Sequence, residues 1–346
     1  MGTLMYRTEE LTRALEIRDL TDPAQGHHAI QLIIEAITER LTKPVEIVRR
    51  HPLVPVEHNY EHLGYPRNAI TRDARYTRYV SETCMLRSHT SAMIPPALQQ
   101  TTDDVTLVCP GMVYRRDTVD RLHTGTPHQL DVWQISRTPQ NIRTLVKTIV
   151  EAALPGAEYR LTPREHPYTD QGWQVDVKQA DRWVEIGECG IAARHVLDRA
   201  GVDRHGLASG WGLDRLLMLR KGIPDIRLLR TTDDQMHDLS PYRPISRHPR
   251  MIRDISIATD PEADLETLGD VIRDTDTGNT VEEIEILSET PVADLPDHVV
   301  ERLKAMPGQK NVLLRLTLRA PTRTLTDEEA NEIRDRIYES LRATPA

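Results

Sequence analysis

Apolar residues recur at helical spacing in several stretches of the chain. Between 26 and 41, Ile30, Leu32, Ile33, Ile37 and Leu41 fall so that one face of a helix is apolar. Residues 1–21 carry a thinner stripe, Leu11, Leu15 and Ile17, closed by Asp22-Pro23. The pattern predicts further helices over 93–100, 141–154, 193–200 and 213–220. β-type runs predict strands over 45–48, 105–109, 111–115, 129–135, 159–163, 173–178 and 182–186, with the clearest alternation in Trp173-Gln174-Val175-Asp176-Val177. Gly187-Glu188-Cys189-Gly190 reads as a turn, and 206–222 as a glycine-punctuated entry into the strong helix 213–220.

The pattern changes near Ser240, where Pro241, Pro244 and Pro249 read as a linker. Beyond it come strand 253–258, helix 264–274, strand 281–287, helix 295–305, strand 311–318 and helix 327–341. Thr326 or Asp327 is the N-cap of the last helix, with Glu328 and Glu329 in its first turn. That order is a ferredoxin-like βαββα(β) split whose final strand is missing or very short. The expected fold class is α+β, with domains over 1–240 and 241–346.

A length of 346 residues suits two domains, and 38% hydrophobic with 28% charged residues is ordinary for a globular protein. A net charge of −9 argues against a general nucleic-acid coat and against DNA as partner. It leaves room for a local basic face, for which Arg315, Arg319 and Arg323 are candidates unless Glu328 and Glu329 balance them. Cys84, Cys109 and Cys189 form no C-x-x-C pair, so neither a zinc ribbon nor a disulfide framework is expected, and a reducing cytoplasm is. No apolar run approaches the roughly 18 residues of a membrane span.

The chemistry concentrates in residues 111–131, GMVYRRDTVDRLHTGTPHQLD. A strand, a turn and a strand would bring Arg115, Asp117, Gln129 and Asp131 onto one sheet. Arginine offers a fork of donors that matches phosphate oxygens, and Gln129 and Asp131 offer acceptors for an ammonium group. That suits an amino acid beside a nucleoside triphosphate. Taken alone, the run equally fits a hairpin of solvated charges.

Three motifs in order favour the first reading. Arg87-Ser88-His89-Thr90-Ser91, then Tyr114-Arg115-Arg116-Asp117 through His123 and His128-Gln129-Leu130-Asp131, then Gly210-Trp211-Gly212-Leu213-Asp214-Arg215 resemble the signature segments of the class II aminoacyl-tRNA synthetases. Within that class the chain is most similar to the phenylalanyl-tRNA synthetases. With 242–342 resembling a ferredoxin-fold anticodon-binding domain, it looks like the single-chain, mitochondrial form. The resemblance implies an antiparallel catalytic sheet flanked by helices, and ATP-dependent activation of phenylalanine or a close aromatic analogue followed by transfer to tRNA.

It also implies roles. Arg115 would clamp the α-phosphate and carboxylate, Asp117 would meet the adenine amino group, His123 the distal phosphates, and Arg215 would stack on adenine. Without the resemblance, Arg215 also fits a helix arginine paired with Asp214 or Asp225. Mg²⁺ would neutralise phosphate charge, with Glu185 as a ligand. His89, Ser91, Gln129 and Asp131 would hold the α-amino and carboxylate groups, and His166, Tyr168 and Ala208 would line the side-chain pocket. A monomer or a homodimer is expected. Two other readings keep the fold: a paralogue that sends its amino acid to a non-translational acceptor, and a non-catalytic RNA-binding regulator.

The sequence departs from the family where the pocket should be. The usual Phe-Pro-Phe run is His166-Pro167-Tyr168, Pro127 replaces a phenylalanine near adenine, Ser209 precedes the glycine of the third motif, and Ala192 stands where a larger aliphatic is common. A roomier, more polar pocket follows, suited to a larger or hydroxylated aromatic amino acid. A competing cause is general: the chain has no phenylalanine at all, against roughly a dozen expected for its length. An enzyme that makes Phe-tRNA but contains no Phe escapes its own bottleneck.

Overall fold

The computed structural model describes residues 5–118, 120–231, 233–243 and 248–343. Contacts divide the chain into two compact units. One comprises Met1–Arg115, Thr126–Pro224 and Thr231–Tyr242; the other comprises Arg116–Gly125, Asp225–Arg230 and Arg243–Ala346. Residues 116–125 and 225–230, which the sequence alone assigns to the first part, thus cluster with the C-terminal part.

In the first unit the strands are β1 (Val45–Ile47), β2 (Leu53–Pro55), β3 (Cys84–Leu86), β4 (Val105–Met112), β5 (His128–Ser136), β6 (Tyr159–Pro163), β7 (Thr169–Gln179), β8 (Arg182–Ala192) and β9 (His205–Gly212). Seven of them form one sheet in the order β1-β4-β5-β9-β8-β7-β6. All its pairs are antiparallel except β1 with β4. Both faces are covered. Leu107, Cys109, Trp133, Ile135 and Ala208, of one parity, share a core with Met93, Ile94, Leu98, Val196 and Leu197. Leu130, Val132, Leu207 and Trp211, of the other parity, are equally buried. Helices Ala29–Arg40, Ile142–Ala153 and Leu213–Lys221 pack on one another and on β5, β8 and β9.

Three expectations change. The two strands expected over 105–115 are one strand that ends at Met112. It accommodates Pro110 because β1 pairs only as far as Val108, so the missing N–H interrupts no ladder there. The chain then leaves the sheet, with Val113 N donating to Pro127 O (2.8 Å) and Tyr114 N to Arg87 O (2.9 Å). Arg115 and Asp117 therefore do not lie on the sheet with Gln129 and Asp131. The supposed turn at 187–190 is the middle of β8. The glycine-punctuated entry before helix 213–220 is β9, a central strand. Gly206 in it marks close packing: a Cβ there would sit 2.8 Å from the Ala192 Cβ.

In the second unit, β10 (Met251–Thr259), β11 (Val281–Pro291) and β12 (Lys310–Leu318) form an antiparallel sheet ordered β10-β12-β11. Helices Leu265–Thr275 and Asp327–Ala343 close its core through Leu268, Ile272, Ile333 and Ile337 against Ile255, Ile257, Leu314 and Leu316. This is the ferredoxin-like order, and the short final strand considered over 342–346 falls largely on residues outside those described. Thr326 caps the last helix: Glu329 N donates to Thr326 Oγ1 (3.2 Å) and Thr326 N to Glu329 Oε2 (2.9 Å). The three candidate arginines do not stand as a bare basic face. Arg315 pairs with Asp254, Arg319 with Glu282 and Arg323 with Glu329, at 2.9, 3.0 and 2.8 Å.

Candidate active site

The site forms on one face of the large sheet. Register aligns Cys109, Asp131, Gly210, Glu188 and Gln174 across β4, β5, β9, β8 and β7. One step along, Gly111, Gln129 and Gly212 align, and on the other side Leu107, Trp133, Ala208 and Gly190. Period-two alternation puts all of these on the same face. The glycines deepen it, and neighbours refill only part of the depth. The Arg87 guanidinium occupies the space over Gly111, and Thr169 lies over Gly190 with its Cβ 2.6 Å from where a glycine Cβ would be. Over Gly210 the nearest atoms to such a Cβ are Asp131 Oδ2, Glu188 Cγ and Glu188 Oε1, all at 3.8 Å. A methyl-sized space lies there between the two carboxylates.

Asp131 is buried and accepts from Thr90 Oγ1 (2.6 Å), Ser91 Oγ (2.8 Å) and Trp133 Nε1 (3.3 Å). Burial pushes its carboxyl up and the Glu188 charge adds to that; the three hydrogen bonds pull it down, leaving it at about 6. Gln129 Oε1 accepts from Thr90 N (3.3 Å). Ser91 therefore acts on Asp131, and the 3₁₀ turn Thr90–Met93 ties the first motif to β5.

His89 is oriented by Asn59, a residue absent from the sequence reading. Asn59 Oδ1 accepts from Ser88 N (3.1 Å), which turns its amide nitrogen toward Ser88 Oγ (2.9 Å) and His89 Nε2 (3.3 Å). Nε2 is then the acceptor, so Nδ1 carries the proton. His89 Nδ1 is buried and has no hydrogen-bond partner among the described residues. Burial, then the nearby Arg115 charge, hold the imidazolium pKa down at about 3, so the ring is a neutral donor. Tyr65 stacks on it at 5.5 Å and 20°. Arg115 is fixed at both ends: its Nε donates to Ser88 O (2.6 Å), and its carbonyl accepts from Arg78 Nη2 (3.1 Å). Arg87 serves the fold instead, donating to Met112 O and Arg50 O at 2.8 Å each.

Tyr168 is buried, stacks on Trp133 (6.0 Å, 28°) and on His166 (6.0 Å, 25°), and its hydroxyl donates to Glu188 Oε1. Burial and the Glu188 charge raise the Tyr168 phenol well above its usual range. His166 Nε2 lies 2.8 Å from Glu188 Oε2. Burial pushes Glu188 up, but His166, Tyr168 and Arg115 outweigh it, and its carboxyl ends below the ordinary glutamate value. Ala208 and Ala192 are buried beside this cluster.

Arg215, at the start of helix Leu213–Lys221, donates through Nη1 to Glu185 O (2.7 Å). The acids that would explain it as a structural arginine are engaged elsewhere. Asp214 accepts from His128 N and His128 Nδ1 (2.9 Å), and Asp225 from Arg227. Glu185 is half-exposed and pairs with Arg164 at 3.3 Å. Among the described residues no three of His, Cys, Asp and Glu are grouped to hold a metal by themselves; an ion carried on the phosphates of ATP takes only one or two carboxylates from a protein. Asp117 and His123 lie in the second unit: Asp117 O accepts from Arg273 Nη2 (2.7 Å), and His123 Nδ1 is 2.7 Å from Asp120 Oδ2.

Residues 15–239, which carry every one of the motif residues above, match the family model for the tRNA synthetase class II core domain (F). The chain belongs to the class II tRNA synthetases. Residues 246–345 match the ferredoxin-fold anticodon binding domain. The chain is 33% identical over 229 residues to the phenylalanine–tRNA ligase alpha subunit of Prochlorococcus marinus (strain MIT 9313), covering 63% of this chain and 68% of that one. It is 27% identical over 355 residues to the probable mitochondrial phenylalanine–tRNA ligase of Drosophila melanogaster, covering 83% and 75%. As a synthetase with an anticodon-binding domain, it has tRNA and an amino acid as partners. No helix among the described residues is long and apolar enough to cross a membrane. Asn59 and Glu188 carried no signal in the motifs, because one lies about 30 residues before His89 at the end of the short helix Val56–Asn59 and the other sits in a segment that reads as a turn.

Proposed function

We propose that this synthetase activates phenylalanine or a closely related aromatic amino acid as its adenylate and transfers it to tRNA, with a catalytic domain over 1–240 and an anticodon-binding domain over 241–346. The observation that carries this reading is the Asp131 cluster: a buried acid braced by Thr90 and Ser91, beside Arg115 and a neutral His89 with an unused N–H. The substrate ammonium meets Asp131 and Gln129, and its carboxylate lies toward His89 Nδ1 and Arg115. Held there, a carboxylate oxygen attacks the α-phosphorus of ATP and pyrophosphate leaves. The terminal ribose hydroxyl of tRNA then attacks the carbonyl and AMP leaves.

Arg115 neutralises the charge that builds on the phosphoryl oxygens, and its anchors at Ser88 and Arg78 mean that little reorganisation is needed. Arg215 lays its guanidinium over the adenine. A divalent ion bound with the ATP phosphates would offset their charge. Trp133, Tyr168 and Tyr65 form the aromatic surround that favours a ring-bearing side chain.

The test is amino-acid-dependent pyrophosphate exchange across the twenty amino acids and hydroxylated aromatic analogues. Exchange with an aromatic amino acid is expected, and Arg115→Ala should lower it by about 10²–10³-fold or more with the melting temperature little changed. No exchange with any amino acid would refute the reading, and full activity in R115A would refute the role of Arg115.

A further inference from the structure

Two carboxylates flank the space over Gly210, and an α-ammonium needs only one of them. Asp131 is the better suited, being buried and braced by two hydroxyls. Glu188 stands on the other side, against the aromatic surround. Its Oε1 accepts from the Tyr168 hydroxyl, and Tyr168 is packed between Trp133 and His166.

Exposure separates the three side chains of this group. Tyr168 is 1% exposed and the His166 side chain 7%, whereas the Glu188 side chain is 35% exposed. The rings are sealed in the core, while the carboxylate stays partly exposed. His166 Nε2 comes within 2.8 Å of Glu188 Oε2 yet makes no well-directed hydrogen bond to any described atom. A buried polar atom left in this state marks a network that is incomplete without something else. Each carboxylate oxygen has two acceptor sites; Tyr168 takes one on Oε1, which leaves one there and both on Oε2.

A bare phenyl ring entering here would strip water from an ionised carboxylate and offer nothing in return. Leaving a buried charged acceptor unpaired is the kind of loss that lets sites built for a hydroxyl reject the analogue lacking it by up to about 10⁴–10⁵-fold. A ring bearing a hydroxyl or amino group would instead complete the Glu188 acceptor set. We propose that Glu188 is a specificity-determining residue, and that the site selects an aromatic amino acid whose ring carries a hydrogen-bond donor over phenylalanine. This rests on the reading of the site as an amino-acid-activating centre.

The experiment compares kcat/KM for pyrophosphate exchange by the full-length protein. The substrates are phenylalanine, the meta- and para-hydroxy and amino derivatives, and the methoxy analogues, which match in size but carry no donor. At least one hydroxy or amino substrate is expected to exceed phenylalanine by about 10²-fold or more, with the methoxy compounds no better than phenylalanine. Glu188→Gln keeps an acceptor for Tyr168 but loses the charge, and should shrink that ratio by about tenfold or more; Glu188→Asp should restore part of it. Because each variant is compared with itself across substrates, a general loss of folded enzyme leaves the ratio unmoved. Phenylalanine preferred over every donor-bearing analogue would overturn the inference while leaving the function standing, as would a preference unchanged in E188Q. If E188Q does not fold, the wild-type ratio and the methoxy controls decide. Exchange with no substrate at all would overturn the function, and the inference with it.

Discussion

A methyl group placed at Gly210 distinguishes a substrate lane from a packing gap. In Gly210→Ala the new Cβ would lie 3.8 Å from its nearest neighbours, Asp131 Oδ2 and Glu188 Oε1, which is ordinary van der Waals contact. Nothing in the folded protein has to move. The loss of unfolded-chain freedom favours the variant by about 0.4–1 kcal/mol, so its melting temperature should stay level or rise by a few degrees. For a substrate the position is different, because the methyl occupies the space between the two carboxylates. Forcing an added methyl against a bound ligand costs about 1–3 kcal/mol, as overpacking does in a core. At about 1.4 kcal/mol per tenfold, KM for the amino acid should rise roughly 5- to 150-fold, with KM for ATP little changed. Gly111→Ala is the contrast. On the same face, its Cβ would collide with the Arg87 guanidinium, which is buried and held by Met112 O and Arg50 O. That variant should lose about 3 kcal/mol or more of stability, in line with breaking a buried hydrogen-bonded charge. Thermal melts and pyrophosphate exchange titrated with amino acid at saturating ATP measure both effects. A G210A enzyme that melts like wild type and keeps its amino-acid KM within twofold would mean that the substrate does not pass over Gly210.

Asp131 sets a pH limit. Its carboxyl sits at about 6, above the ordinary aspartate value of 3.8, so the folded protein binds this proton more tightly than the unfolded chain does. The stability it contributes is full below about 4 and is lost as pH rises through about 6, whereas ammonium binding needs the ionised form. Consequently kcat/KM for the amino acid should fall about tenfold per pH unit below about 6, and Asp131→Asn should abolish that limb; an unchanged acid limb in D131N would assign it to another group. Asn59→Ala removes the amide that orients His89 and leaves Ser88 N without its acceptor, for a stability loss of about 1–3 kcal/mol. It should also lower kcat/KM by about 10- to 100-fold; a loss of stability with unaltered kcat/KM would show that His89 needs no orienting partner.

Local spacing along the chain was enough for the helices at Ala29–Arg40 and Ile142–Ala153, for β6, and for the alternating strands and helices of the C-terminal unit. In each, the apolar period belongs to the element itself. The segments that carry His89, Arg115, Gln129, Asp131 and Arg215 stood out through their resemblance to the class II synthetases, because each motif is a short contiguous run. Strands buried on both faces lose that alternation, which is why β9 with its four residues Gly206, Ala208, Gly210 and Gly212 on one side read as a glycine-punctuated helix entry. Glu188 was hidden for the same reason inside Gly187-Glu188-Cys189-Gly190. What only the tertiary structure decided was the lateral alignment of Asp131, Gly210 and Glu188, contributed by three strands far apart in sequence. Hydrogen-bond register between strands is a nonlocal choice, made when the whole sheet forms. It alone sets Gly210 between the two acids.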